Sequence, residues 1–129
     1  MKYVSIAVGG MLGAVLRFWV GIALYQPHAP FPFPTLVINL IGSFILGWFV
    51  VQGSQLIRNR TLVLGVQTGF LGSFTTFSAF SIELILLMDQ GLYAIAIQYF
   101  LISTIMGIGA VLLGMKCGSV LLGKEGAEQ

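Results

Sequence analysis

Four long apolar runs, separated only by short polar or proline-bearing connections, constrain this chain more than any other feature of its sequence. A bilayer core about 30 Å thick takes about 20 consecutive apolar residues per helix, and inside it every backbone polar group must be satisfied within the protein. The runs lie at about 3–25, 35–51, 61–88 and 92–113, and they use up most of the 129 residues. The expected fold is therefore all-α: one integral membrane domain over 1–129, a four-helix subunit with no soluble module. Hydrophobic residues make up 57% of the chain and charged residues only 8%, against about a quarter charged in a soluble domain. Lipid, in the cell membrane, is the expected surrounding. The net charge of +2 is spread over the termini and one loop, without the basic stripe that nucleic-acid binding needs, so nucleic acid is set aside as a partner. An enzyme is not expected either. Cys117 is a lone thiol, and His28 stands among prolines with no residue at metal-ligand or triad spacing, so packing or lipid contact for the first and a loop position for the second suffice.

Lys2 followed by an apolar run resembles a secretory leader, but the run passes Arg17 to about Tyr25 and carries no Ala-x-Ala site, so it reads as a first span. All four prolines fall between Gln26 and Pro34, where fixed φ and missing N–H groups predict a rigid, extended connection. Gln52 to Arg60 reads as a polar turn, Asp89-Gln90-Gly91 as a tight one, and the stretch ending Gly-Lys-Glu-Gly-Ala-Glu-Gln as a solvated tail. Small residues four apart recur at Gly9/Gly13, Ser43/Gly47, Gly65/Gly69 and Gly114/Gly118, which lets helix backbones approach where lipid supplies no hydrophobic drive. No internal repeat relates the two pairs of spans, so any two-fold symmetry has to come from a second subunit. Alternating the spans puts Lys2, Arg58, Arg60, Lys116 and Lys124 on one side and no Lys or Arg in the opposite loops, which favours cytoplasmic termini.

Ionisable residues inside a membrane cost roughly 2.5–3.5 kcal/mol at the helix centre on insertion scales, so each is a functional candidate. Arg17 is either an anchor that snorkels to the interface or a charge in an aqueous vestibule. Glu83 is an ion-path residue, a helix-pairing residue or a group near the far interface. Asn39, well inside the second span, carries an amide whose desolvation without a partner costs about 2–7 kcal/mol, so it either joins helices or donates to a passing anion. Ser103 and Thr104 can return their hydroxyls to their own helix, and Tyr99 begins the same stripe one turn earlier. The third span is unusual: Thr68 to Ser81 crowds Gly, Ser, Thr and four phenylalanines into mid-membrane. These small polar residues weaken a helix, and a break is expected at Gly72 to Thr75. A break at that depth needs cover from protein or a water-lined cavity, and freed carbonyls there can coordinate a cation. Phe77 and Phe80, three apart, share a helix face beyond the break. An aromatic ring has a positive edge, so such a pair either packs a core or contacts a small anion edge-on.

The strings Gly9-Gly10-Met11-Leu12-Gly13-Ala14-Val15-Leu16-Arg17, Thr35-Leu36-Val37-Ile38-Asn39-Leu40 and Thr68 to Glu83 resemble the Fluc family, also called CrcB, the small fluoride channels of microbial membranes. The third string is the specific one, reading Gly-x-x-Thr-Thr-Phe-Ser-x-Phe-Ser-x-Glu from Gly72. The resemblance implies an antiparallel dimer of four-helix subunits, fluoride paths along the subunit interface, and a structural sodium ion at the centre. By position, sodium would be held by the backbone carbonyls of Gly72 and Thr75 from both subunits. Phe77 and Phe80 match the aromatic pair lining the fluoride path, with Thr76 beside them. Asn39 matches a polar pore residue, Thr35, Tyr99, Ser103 and Glu83 match polar positions along or beside the route, and Arg17 matches the vestibule charge. Ser73 stands where a second glycine is frequent, Ala79 where threonine is frequent, and Gly107 where some relatives have serine. The implied activity is passive export of cytoplasmic fluoride.

Two other readings compete. A small four-helix proton-coupled exporter of organic cations shares size and dual topology, but it wants a carboxylate in a first span that here has only Arg17. A non-transporting assembly subunit would use Asn39, Glu83 and the glycines for packing alone. The partner is a second copy inserted the opposite way, or an oppositely oriented relative in a heterodimer. The one-sided Lys/Arg distribution fits the heterodimer, and the homodimer is the first expectation.

Overall fold

The computed structural model describes residues 1–27 and 29–125, with backbone alone at Ser54 and 121–125; His28 and the last four residues of the expected tail lie outside it. The described residues form α1 (Lys2–Ala23), α2 (Phe33–Leu56), α3 (Arg60–Leu64), a π-helical segment (Gly65–Leu71), α4 (Gly72–Phe74), α5 (Phe77–Asp89) and α6 (Tyr93–Glu125). Four stretches are long and apolar enough to cross a membrane: Lys2–Ala23, Phe33–Gly53, Arg60–Asp89 and Tyr93–Val120. The third combines α3, the π-helical segment, α4 and α5, and it is interrupted.

Two helix pairs organise the subunit. Helix α1 packs on the π-helical segment and α4, and α2 packs on α6, with α5 closing against α6. Glycine lets the backbones touch. A Cβ on Gly13 would strike the Phe70 carbonyl and one on Gly9 the Gly65 carbonyl, while one on Gly114 would strike the Phe44 carbonyl. Such contact gains dispersion energy from many close atom pairs, which matters in a solvent as apolar as the side chains.

The connections depart from expectation in instructive ways. Pro34 lies in the first turn of α2, where a missing N–H has no helical partner to lose, and Ala29 N–H donates to the Gln26 carbonyl at 3.3 Å, so the proline-rich connection contains a turn. Helix α2 runs on to Leu56 through part of the supposed polar turn, because Gln52 turns inward and its Nε2 donates to the Gly118 carbonyl at 3.1 Å. Helix α6 likewise continues to Glu125. The turn after α5 is a Schellman motif: Leu92 N–H donates to the Leu87 carbonyl at 2.9 Å and Gly91 N–H to that of Met88 at 3.0 Å. Gly91 takes φ 75° there, a conformation that glycine adopts without a Cβ penalty.

Candidate functional site

The third span opens at Thr75 and Thr76, the C-terminal edge of the stretch where the sequence expected it. Thr75 has φ −74° and ψ 155°, and Thr76 has φ −144° and ψ 117°, so two extended residues separate α4 from α5. Upstream, the wider π-helical turn spans Gly65–Leu71, a feature that often accompanies functional sites. Gly42 of α2 leaves room for the break, since a Cβ there would meet the Thr75 methyl.

Extended backbone in the middle of a span needs partners, and the side chains provide them. Thr76 N–H donates to Asn39 Oδ1 at 2.8 Å, and Asn39 Nδ2 donates to the Thr76 carbonyl at 3.0 Å. Thr76 Oγ1 caps α5 by accepting from Ala79 N–H at 3.1 Å. In an unbroken helix the Thr76 and Ala79 amides would bond the carbonyls of Gly72 and Thr75, four residues earlier. Both amides are diverted, and both carbonyls are released from the helical ladder. Thr75 Oγ1 donates to the Leu71 carbonyl at 3.0 Å.

Beside the break lies an open groove of about 350 Å³ lined by Asn39, Ser43, Thr75, Thr76, Phe77, Phe80, Ser103, Thr104 and Gly107 with Leu36, Leu40 and Leu46. It brings together five of the predicted path residues, Asn39, Thr76, Phe77, Phe80 and Ser103. The Phe77 and Phe80 ring centroids are 5.9 Å apart at 39°. Phe77 is 80% exposed in the single subunit, whereas Phe80 packs on Tyr99 at 5.1 Å. Ser103 and Thr104 behave differently: Thr104 Oγ1 returns to the Phe100 carbonyl at 2.8 Å, while Ser103 Oγ is buried without a hydrogen-bond partner among the described residues.

The other three path candidates, Thr35, Glu83 and Tyr99, form a separate cluster outside the groove lining. Thr35 Oγ1 donates to Glu83 Oε1 at 2.6 Å, and Tyr99 Oη donates to Glu83 Oε2 at 2.7 Å. Both hydroxyl protons are committed to the carboxylate, so the cluster as it stands ties α2, α5 and α6 together. Tyr99 is fully buried, and Phe31 packs edge-on against it at 5.4 Å. Phe31 and Gln52 are the residues the sequence reading passed over. No local pattern marks either, because their partners lie far along the chain. Arg17 lines a second cavity of about 430 Å³ with Tyr25, Thr35, Thr76 and Ala79, so Thr76 borders both this cavity and the groove. Gly72 is exposed on the subunit surface, and a Cβ there would touch only the Gln67 carbonyl, at 3.8 Å.

Known proteins resemble this chain in sequence. The CrcB-like protein family, also described as Camphor Resistance (CrcB), matches residues 4–115. A Bacillus cereus protein named fluoride-specific ion channel FluC 1 is 38% identical over 127 residues, covering 95% of this chain and 91% of its own length. A Gloeobacter violaceus protein named fluoride-specific ion channel FluC is 42% identical over 120 residues, 92% of this chain and 96% of its own. One of that name from Oceanobacillus iheyensis is 40% identical over 114 residues, 86% of each chain. The broken span, the groove and these likenesses lead to one assignment: the chain belongs to the CrcB-like family of four-helix membrane proteins.

Proposed function

We propose that this protein is a fluoride-selective channel through which cytoplasmic fluoride leaves the cell passively, built as an antiparallel dimer around a structural sodium ion. The observation that carries the reading is the groove beside the break, where an amide, a buried hydroxyl without a partner among the described residues and two aromatic rings line one wall together with Ser and Thr side chains and three leucines. Fluoride holds its water tightly, so a path must offer compensating donors at close range. Asn39 has a second Nδ2 hydrogen beyond the one given to Thr76, Ser103 has a free hydroxyl, and the positive edges of Phe77 and Phe80 supply weaker contacts that exclude water. The relatives named as fluoride channels match 95% and 92% of this chain's length.

The groove is open on one side, and Phe77 stands largely outside the single subunit. A second subunit, inserted the opposite way, would close it and create the path at the interface. That partner is a second copy of this chain, or an oppositely oriented relative if the Lys/Arg bias fixes each topology. Arg17 in its own cavity would draw anions toward the entrance by charge.

The donor chemistry fits a sodium ion. The two released carbonyls, Gly72 and Thr75, are neutral oxygens of the kind that hold Na⁺ in broken membrane helices, and the described residues contain no cluster of His, Cys, Asp or Glu that could hold a metal ion. When bound, the ion supplies a fixed positive charge that favours anions nearby. Purified protein in liposomes, with sodium present, is expected to release fluoride and retain chloride. Equal release of both anions, or of neither, contradicts the proposal.

A further inference from the structure

Asn39 does more than line the groove. Its amide is clamped on the Thr76 peptide, and the orientation is fixed by chemistry: the Thr76 N–H can only donate and the carbonyl can only accept, so Oδ1 must face the first and Nδ2 the second. The two residues are 37 positions apart and lie on different elements. Local sequence weakens the helix at the break, but α2 holds it open. The contact with Thr76 N–H removes the one amide that a regular helix would return to the Gly72 carbonyl. The adjoining contact with the Thr76 carbonyl pins the extended conformation that keeps the Thr75 carbonyl off the ladder as well.

We infer that Asn39 is a positioning residue for the cation site, holding the Gly72 and Thr75 carbonyls free through its two bonds to the Thr76 peptide. The identity of the cation as sodium rests on the function proposed above. The same residue thus meets two sites: its amide bonds shape the cation site, and its side chain also lines the groove. If Asn39 acted only as an anion donor, its loss would lower fluoride flux at every sodium concentration alike. If it positions the carbonyls, its loss lets the Thr76 amide fall back toward Gly72, and sodium has to compete with helix closure.

The test compares the parent with Asn39→Ala, which leaves space for water, and Asn39→Leu, which keeps the volume without hydrogen bonds. Fluoride efflux from liposomes is recorded over a sodium series, with N-methylglucamine replacing sodium. Losing the paired buried bonds is expected to raise the sodium concentration for half-maximal flux roughly tenfold in both variants. Reduced flux with an unshifted sodium dependence overturns the inference. A second readout needs no flux: the thermal midpoint of the detergent-solubilised dimer against sodium concentration, in which the same rightward shift is expected. If the parent carries no fluoride but its midpoint still depends on sodium, the fluoride reading fails and the Asn39 inference is decided by the midpoints. A parent indifferent to sodium in both assays removes the cation site and this inference, while leaving fluoride selectivity standing. Variants recovered folded only at raised sodium support the inference, and variants that fail to fold at any sodium concentration assign Asn39 to general folding and overturn it.

Discussion

Phe80 sits where three aromatic neighbours meet, 5.1 Å from Tyr99, 5.9 Å from Phe77 and 6.3 Å from Phe100 between ring centroids. Its ring also lines the groove. Replacing it with isoleucine keeps most of the apolar bulk and removes the polar edge, so Phe80→Ile is expected to lower fluoride flux at least about tenfold while leaving the folded protein recoverable, since it removes less than the full truncation to alanine that costs about 3–5 kcal/mol. Undiminished flux in liposomes would return Phe80 to core packing. The pairing of Phe77 with Phe80 was legible from their spacing of three, because helix geometry fixes it. The fates of Ser103 and Thr104 were not: adjacent hydroxyls on one helix point in different directions, and only the tertiary structure decides which returns to its own carbonyl. The same holds for Thr35, Glu83 and Tyr99. Each could be picked out as a polar group in an apolar run, but their convergence on one carboxylate depends on three separate helices.

At the scale of elements, the third span shows how sequence and packing share control. Its weak helix formers made a break legible, and the break falls at the end of the expected window because Asn39 and Gly42 of α2 meet the chain at Thr75 and Thr76. The π-helical turn carries no comparable sequence mark. Helix ends were harder to read for a related reason: Gln52, polar and therefore read as a turn residue, is buried and serves α6. The glycine spacing, by contrast, translates directly into backbone contact. Gly13 meets the Phe70 carbonyl across the α1 interface. A Gly13→Val substitution must push those backbones apart, and overpacking of this kind costs about 1–3 kcal/mol. The expected result is a clear fall in the thermal midpoint, measured in detergent at fixed sodium and compared with Gly21→Val, whose Cβ would meet nothing within 4 Å. Equal midpoints for the two variants would show that the α1 contact is not tight.

For the whole molecule, the number of spans followed from hydropathy because a bilayer imposes one length on every crossing helix. Assembly does not follow in that way. The subunit exposes Phe77 and the Gly72 position together at the break, and both surfaces have roles in the proposed function only when a partner covers them. The five basic residues on one side, with none in the opposite loops, pull against free insertion in both directions, so whether the proposed dimer pairs two copies or two relatives is a matter of membrane insertion rather than of the fold of one chain. What the proposed channel has to achieve is discrimination between anions. The most direct measurement is the reversal potential across a planar bilayer containing the purified protein, with both anions on both sides, a fluoride gradient opposed by an equal chloride gradient, and equal sodium on each side. A potential at the limit set by fluoride alone is predicted; a potential near zero, with both anions carrying current, would contradict the account.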